Sequence, residues 1–129
     1  MVLVDTSVWI EVFRKRARLR LEDHLHLDDV VTCLPVIQEV LQGFRDEGAY
    51  RKAHSAMFAF PLLESPLGRP LFEDAVRLYR AARRVGWTIR SSVDCLIAAC
   101  AIRHDVEVVH RDRDFPSLAR VSSLRQRAL

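Results

Sequence analysis

Short apolar runs rich in β-branched residues alternate with helical stretches along the chain, and this alternation constrains the fold more than any other feature. The runs predict strands at residues 1–5, 30–34, 60–65, 107–110 and 119–124. The segments between them predict helices at residues 6–14, 16–27, 35–44, 49–59, 70–86 and 91–103, with Gly86 as a helix stop. Such alternation predicts an α/β fold with a central parallel sheet and helices on both of its faces.

The size of the chain predicts one domain spanning residues 1–129. Half of the residues are hydrophobic, which is enough for a core at this length. No apolar run approaches the ~20 residues of a membrane span. The first residues, MVLVDTSVW, lack the charged start and cleavage site of a signal peptide. We therefore expect a cytoplasmic protein that does not enter a membrane.

The cysteines and the basic residues exclude some functions and leave others open. Cys33, Cys95 and Cys100 lie in apolar segments and are odd in number, which predicts reduced core thiols and neither a disulfide framework nor a zinc site. The net charge is +3 and most basic residues are arginine, including the dense segment RKRARLR at residues 14–20. Arginine forks suit phosphate, so nucleic-acid binding is one interpretation, and a solvated helix face is the other.

Four carboxylates are predicted at one edge of the sheet. Asp5 ends the first strand and Asp112 follows the strand EVVH, whereas Glu39 and Asp94 lie in the first turns of helices. A helix that follows a parallel strand begins near the carboxyl end of that strand. The four acids are therefore predicted at the sheet edge where open α/β folds bind ligands.

Each acid also has a purely structural interpretation. Asp5, followed by a threonine and a serine, is a good helix cap. Glu39 is about 60° from Val36 on a helical wheel, at the border of the apolar stripe, and could be a surface glutamate. Asp94 matches a capping box that begins at Ser91. Asp114 could cap the segment FPSLA, and we favour that role for it.

The coincidence of four acids at one edge points beyond these separate roles. Neighbouring carboxylates repel one another, and the pKa of each is raised unless cations are present. Mg²⁺ and Mn²⁺ prefer oxygen ligands and suit phosphodiester hydrolysis, because the ion activates water and neutralises charge on the phosphate. We expect Asp5 and Asp94 to be the main metal ligands, with Asp112 completing the set. Glu39 would orient or deprotonate water, or add to metal binding.

In their order and spacing, the segments VDTSVWIE, PVIQEVLQG, SSVDCLIAACAIRHD and HRDRDF resemble the PIN-domain ribonucleases, most closely the VapC toxins of bacterial toxin–antitoxin pairs. The resemblance covers essentially the whole chain. It implies a PIN-like fold with a parallel sheet of about five strands, and Mg²⁺- or Mn²⁺-dependent endonuclease action on RNA.

The acids of the family's pattern fall on residues of this chain one by one. The resemblance implies catalytic roles for Asp5, Glu39, Asp94 and Asp112. It implies a secondary, more variable acid at Asp114 and an accompanying hydroxyl at Ser7. The sequence departs from the pattern at His110, where the family often has threonine or serine. His110 either replaces that hydroxyl as a donor or points elsewhere.

The resemblance also implies a homodimer and a VapB-like antitoxin that wraps the toxin and blocks its site. Arg14, Arg111 and Arg113 are candidates for contact with the RNA substrate. One alternative is a PIN-like module that binds RNA or a partner without cutting, although all four acids argue against it. Another is a phosphatase of the haloacid-dehalogenase type, which uses D-x-D after the first strand, but position 7 is serine.

Overall fold

A sheet of five parallel strands forms the centre of the molecule, and the predicted α/β architecture is confirmed. The computed structural model describes residues 1–16 and 18–129. The strands are β1 (Val2–Val4), β2 (Val30–Cys33), β3 (Leu62–Leu63), β4 (Glu107–His110) and β5 (Gln126–Ala128). Their order across the sheet is β3-β2-β1-β4-β5.

Six α-helices in the described part of the chain connect and cover these strands. They are α1 (Thr6–Val12), α2 (Leu34–Gln42), α3 (Glu47–Phe58), α4 (Arg69–Arg84), α5 (Ser92–Arg103) and α6 (Asp114–Ala119). Helix α2 contacts α1 and α3, while α4, α5 and α6 contact one another. Crossovers between parallel strands are right-handed. The chain moves across the sheet in one direction from β1 to β3, and in the other direction from β3 to β4 and β5. The two groups therefore cover opposite faces.

The core lies where the central strands meet α5. Leu3, Val4, Val108 and Val109 on β1 and β4 are all fully buried. Helix α5 is apolar nearly all round because it packs between the sheet and α4. The three cysteines are buried with free thiols, as predicted. Gly86 has φ of 90° and follows Val85, the C-cap residue of α4, which confirms it as the helix stop.

The helix predicted over residues 16–27 is wrong. Ala17 lies outside the described residues, and the described remainder contains two short 3₁₀ turns, Leu21–Asp23 and Leu27–Asp29. Leu21 is buried and Leu25 packs against the core, whereas Leu27 is exposed. On a helix, Leu25 and Leu27 would point about 200° apart, so a single apolar face could not include both. The described part of this segment is irregular because this path places Leu21 and Leu25 against the core.

The last strand is also displaced from its predicted place. The segment ARVSSL was predicted as a strand, but its first residue ends α6 and β5 begins at Gln126. Strand β5 lies at the sheet edge, and its sequence, QRA, has no apolar alternation. Periodicity therefore gives no signal for it. Among the helices that the structure describes, none is both long and apolar enough to cross a membrane.

The strand order creates a crevice at the carboxyl ends of β1 and β4. From β1 the chain moves towards β2 and β3, and it then returns to place β4 on the other side of β1. Such a reversal leaves the loops after the two strands diverging, which is where open α/β sheets bind ligands. Asp5 follows β1 and Asp112 follows β4 at this crevice.

Candidate active site

Asp5 both caps α1 and belongs to the acidic cluster. Its Oδ2 accepts hydrogen bonds from the backbone N–H of Ser7 at 3.0 Å and from the Ser7 hydroxyl at 2.6 Å. Its Oδ1 is buried without a hydrogen-bond partner among the described residues. Burial raises the pKa of Asp5, and the charge of Asp112 raises it further, against the hydrogen bonds from Ser7. The capping interpretation is correct but leaves one oxygen unused.

The hydroxyl of Ser7 links the ends of the two central strands. It donates to Asp5 and accepts from the backbone N–H of Arg111 at 2.9 Å. Because Arg111 lies directly after β4, this bond joins the β1 and β4 sides of the crevice. Ser7 therefore holds both the carboxylate and the loop that carries Asp112.

Glu39 lies over the crevice and is not an ordinary surface residue. It is half-buried, and its Oε1 accepts a hydrogen bond of 2.9 Å from the Thr6 hydroxyl. Burial raises the pKa of Glu39, with smaller contributions from Asp5 and Asp112 in the same direction. The hydrogen bond from Thr6 opposes this shift and fixes the side chain against α1.

Asp94 is the most strongly perturbed acid of the cluster. The carboxyl is 4% exposed in the first turn of α5, and its Oδ2 has no hydrogen-bond partner in the described part of the chain. Ser91 makes no side-chain capping bond, so the predicted capping box is wrong. Burial, followed by the charges of Asp5 and Asp112, raises the pKa of Asp94 to about 9. This shift favours the protonated form of Asp94 when no cation is bound.

Asp112 and Asp114 complete the cluster from the loop after β4. Asp112 Oδ1 accepts a hydrogen bond of 2.9 Å from the backbone N–H of Asp114. Asp114 is 3% exposed, and its Oδ2 accepts from the backbone N–H of Arg90 at 3.0 Å. The cap position of α6 is Arg113. The predicted capping role of Asp114 is therefore wrong, because its carboxylate points into the crevice and not back along its own helix.

His110 supports the backbone of this loop. Its Nδ1 accepts a hydrogen bond of 3.1 Å from the Asp112 N–H, and its Nε2 lies 2.6 Å from Gln126 Oε1. Since Nδ1 accepts, Nε2 carries the proton and donates to Gln126. His110 thus acts as an acceptor for the Asp112 backbone, and its other nitrogen reaches β5.

The carboxylates offer oxygen ligands for a metal ion. One oxygen each from Asp94, Asp112 and Asp114 lie within 4.8 Å of one another. Asp5 is outside this trio, although its charge raises the pKa of Asp94. Two buried oxygens, Asp5 Oδ1 and Asp94 Oδ2, have no partner among the residues described. Such oxygens, without nitrogen or sulfur ligands, fit a hard divalent cation.

The candidate RNA-binding arginines are exposed near the crevice, at different distances from its acids. Arg111 and Arg113 are exposed on either side of Asp112. Arg14 forms an ion pair of 3.1 Å with Glu11 and lines a groove that reaches Glu39. The basic stretch at residues 14–20 is exposed at Arg14, Lys15, Arg16, Arg18 and Arg20, and its Ala17 is not described.

Comparison with known proteins agrees with this geometry. The family model described as PIN domain matches residues 2–121. VapC ribonuclease Mb1587 from Mycobacterium bovis and ribonuclease VapC11 from Mycobacterium tuberculosis are each 38% identical to the chain, over 96% of both sequences. The chain belongs to the PIN-domain family, among the VapC ribonucleases.

Solved structures share the fold of this PIN domain at lower sequence identity. VapBC2 from Rickettsia felis, bound to a promoter DNA fragment, superposes with a TM-score of 0.78 over 100% of this chain and 99% of its own, at 14% identity. VapBC-5 from Mycobacterium tuberculosis gives 0.73 over 98% and 97%, at 21% identity. The PIN-like architecture expected from the sequence is therefore confirmed.

Two residues of the PIN domain's site escaped sequence analysis. In the sequence, Thr6 has only the features of a helix start, yet its hydroxyl donates to Glu39. No sequence motif points to Arg90, yet its backbone and its guanidinium both contact the acids. Thr6 could have been suspected because it adjoins Asp5, whereas the position of Arg90 depends on the path of the loop before α5.

Proposed function

We propose that the chain is an endoribonuclease that hydrolyses RNA phosphodiester bonds with Mg²⁺ or Mn²⁺, and that it acts as the toxin of a toxin–antitoxin pair. The observation that carries the proposal is the convergence of acids from the end of β1, from α2 and α5, and from the loop after β4. Two of their buried oxygens, Asp5 Oδ1 and Asp94 Oδ2, have no partner among the described residues. Membership of a ribonuclease family supports RNA as the substrate.

Asp5 and Asp94 are the proposed main ligands of the cation, and Asp112 completes the set. The raised pKa of Asp94 supports this assignment, because a nearby divalent ion would favour the ionised carboxylate. When bound, the cation would supply an activated water and neutralise charge on the scissile phosphate. Asp114, which accepts from the Arg90 N–H, is a supporting acid in this scheme.

Glu39 is the proposed base or orienting group for the attacking water. Its raised pKa brings the carboxylate closer to the range in which a base both accepts and releases a proton. Thr6 holds Oε1, which leaves Oε2 available to a water molecule in the crevice. Ser7 would keep Asp5 oriented through its hydroxyl.

Arg111 and Arg113 are the proposed contacts to the RNA backbone next to Asp112, and Arg14 is a third candidate across the crevice. All three side chains are exposed. Alanine at Arg111 and Arg113 is expected to weaken RNA binding and to lower its salt dependence, by about 0.7 in log–log slope for each phosphate that is no longer neutralised. Unchanged affinity and slope in both variants would remove the two arginines from the RNA interface.

The proposed partners are a VapB-like antitoxin and a second copy of the chain. A groove of about 270 Å³ beside Glu39 is lined by Ile10, Phe13 and Phe44, an apolar surface that a partner segment could cover. On α4, Phe72 and Val76 are 47% and 57% exposed, which supports a homodimer through that helix. The proposed location is the cytoplasm, where RNA is available.

Cleavage of a mixed RNA pool tests the proposal. The purified chain is incubated with Mg²⁺, with Mn²⁺ and with a chelator, next to the variants Asp5→Asn and Asp28→Asn. Asp28 is exposed on a 3₁₀ turn, so its variant makes the same change of charge away from the crevice. We expect cation-dependent cleavage by the wild type and by Asp28→Asn, and loss of cleavage in Asp5→Asn.

Three results of this cleavage experiment would contradict parts of the proposal. If folded wild-type protein cut no RNA class with either ion, the chain would be a PIN-like binding module. Cleavage that persists in the chelator would remove the metal from the mechanism. Cleavage that persists in Asp5→Asn would remove that acid.

A further inference from the structure

Arg90 contacts the acidic cluster in two different ways. Its backbone N–H donates to Asp114 Oδ2 at 3.0 Å, which fixes the main chain just before α5. Its guanidinium reaches the same loop, with NH2 3.3 Å from Asp112 Oδ1 and Nε 3.7 Å from Asp114 Oδ1. Among the described residues, Arg90 supplies the ion pairs made to these acids.

The guanidinium is held loosely while the backbone is held firmly. The Arg90 side chain is 55% exposed, and each carboxylate receives a single, long contact in place of a paired fork. Long ion pairs made by an arginine whose side chain is more than half exposed contribute little to stability. The backbone bond to buried Asp114 already provides the structural anchor, so the charged head is free to exchange partners.

A divalent cation at the cluster would weaken the attraction between the Arg90 guanidinium and its two carboxylate partners. The guanidinium is attracted by the negative charge of Asp112 and Asp114 at close range. A cation that binds Asp112 takes up that charge and repels the guanidinium. The side chain then lies at the mouth of the crevice, beside the place where a phosphodiester must approach Asp5 and Asp94. A planar fork is well suited to two oxygens of a phosphate.

We propose that Arg90 binds the RNA phosphate at the scissile position, and that cation binding to the neighbouring acids releases Arg90 from Asp112 for this contact. The inference rests on the proposed ribonuclease function and adds to it a substrate-binding residue whose partner changes with the cation. It also explains why an exposed arginine is anchored through its backbone to a buried aspartate.

The matched control is Arg125. Its side chain is 56% exposed and pairs with Asp105 at 3.1 Å, just before β4 at the opposite edge of the sheet. Arg90→Gln and Arg125→Gln therefore remove the same charge from arginine side chains that are equally exposed. Both variants are made in the wild type and in a Glu39→Gln background, in which cleavage is expected to be absent and RNA binding is measurable with Mn²⁺ present.

Two titrations test the proposal. Mn²⁺ affinity, measured by calorimetry without RNA, is expected to rise several-fold in Arg90→Gln and to stay unchanged in Arg125→Gln, because only the first loses a competing cation. Binding of a fluorescent single-stranded RNA with Mn²⁺ is expected to weaken about tenfold in Arg90→Gln and less than about twofold in Arg125→Gln. In a chelator the difference between the variants is expected to shrink, since Asp112 then retains the guanidinium.

The outcomes separate this inference from the proposed function. Wild-type protein that binds Mn²⁺ and cuts RNA, with equal RNA affinity in the two variants, would overturn the phosphate contact alone. Equal Mn²⁺ affinity in the two variants would overturn the release by the cation. Wild-type protein that neither binds Mn²⁺ nor cuts RNA would overturn the proposed function, and this inference with it.

Discussion

Asp94 is the site acid whose pKa is raised most strongly by its surroundings in the folded protein. The unfolded chain would ionise it near 3.8, whereas burial and the charges of Asp5 and Asp112 raise the pKa in the native protein to about 9. Between these values the cation-free native state keeps a proton that the unfolded state has lost. The free energy of unfolding therefore falls as pH rises through this window.

Asp94→Asn is expected to make the cation-free protein more stable while it abolishes cleavage. Asparagine stays neutral, so the variant avoids the cost of keeping a buried carboxyl protonated at high pH. In chelator at pH 8, we expect its Tm to exceed that of the wild type by about 4 °C or more, with the difference shrinking towards pH 4. Thermal unfolding at several pH values measures both trends.

The exposed Asp28 provides the control for this comparison, since Asp28→Asn is expected to leave Tm nearly unchanged at every pH. A lower Tm for Asp94→Asn than for the wild type at pH 8 would mean that the buried carboxyl stabilises the fold. Retained cleavage would remove Asp94 from the mechanism.

Ser7→Ala is expected to impair the site more than the fold. The variant loses the donor to Asp5 Oδ2 and the acceptor for the Arg111 N–H. We expect a loss of roughly 1–2 kcal/mol in stability and a several-fold weaker affinity for Mn²⁺, with partial rescue by Ser7→Thr. Calorimetric titration and thermal unfolding measure the two effects. Ser55→Ala, on the exposed side of α3, should change neither, and equal Mn²⁺ affinity in Ser7→Ala would contradict the prediction.

At the scale of elements, β4 and β5 are tied together by a side-chain bond as well as by their ladder. The imidazole of His110 is 1% exposed and donates from Nε2 to Gln126 on β5. Its Nδ1 accepts from the N–H of Asp112, so the position of an edge strand is coupled to the loop that carries a site acid. A small hydroxyl at position 110 would not span this distance.

Gln126→Ala is expected to destabilise the protein by about 1–3 kcal/mol, because the buried imidazole N–H loses its acceptor. Chemical denaturation measures the loss. The neighbouring Arg127 forms an exposed ion pair with Glu107, so Arg127→Ala on the same strand should cost less than about 1 kcal/mol. Equal costs for the two variants would mean that the His110–Gln126 bond contributes nothing beyond strand pairing.

Sequence patterns located most of these elements because their causes are local. Runs of β-branched residues predict β1, β2 and β4, and hydrophobic patterns predict α4 and α5. The order of the strands then places four acids at one edge of the sheet: Asp5, Glu39, Asp94 and Asp112. The predictions for residues 16–27 and for β5 were wrong because local propensity does not determine these segments. Burial of particular side chains determines the first, and the position at the sheet edge determines the second.

The details of the site depend on contacts that no local pattern encodes. Asp114 matched a helix cap by its spacing, but its partner is the Arg90 N–H, 24 positions away. Ser91 and Asp94 had the spacing of a capping box, yet burial beneath the crevice leaves Asp94 Oδ2 without a described partner. Thr6 and Arg90 belong to the site through tertiary geometry alone.

At the scale of the whole molecule, the proposed cation is a ligand of the folded state. Its proposed ligands lie on both sides of the crevice, so the unfolded chain cannot present them together. Binding then raises the free energy of unfolding by mass action, by about 2.7 kcal/mol at a concentration a hundredfold above Kd. As a proposed ligand, Asp94 must lose its proton, so binding of the ion would also release a proton.

We therefore expect Mn²⁺ to raise the Tm of the wild type by several degrees, and to raise it more at pH 8 than at pH 6. Proton loss from a carboxyl with a pKa of about 9 costs less at the higher pH. Thermal unfolding with Mn²⁺ or chelator at both pH values measures the shift, and Asp94→Asn should largely abolish it. A shift that is the same at both pH values would disconnect ion binding from Asp94.

The bond between the Ser7 hydroxyl and the Arg111 N–H joins residues 104 positions apart. Pairings this distant form late, since much of the chain must be ordered before the two ends can meet. A nascent or truncated chain that lacks β4 would carry Asp5 and Glu39 but no crevice for them to line. The proposed activity would thus be withheld until synthesis and folding are nearly finished, because an incomplete chain carries its acids without an assembled site.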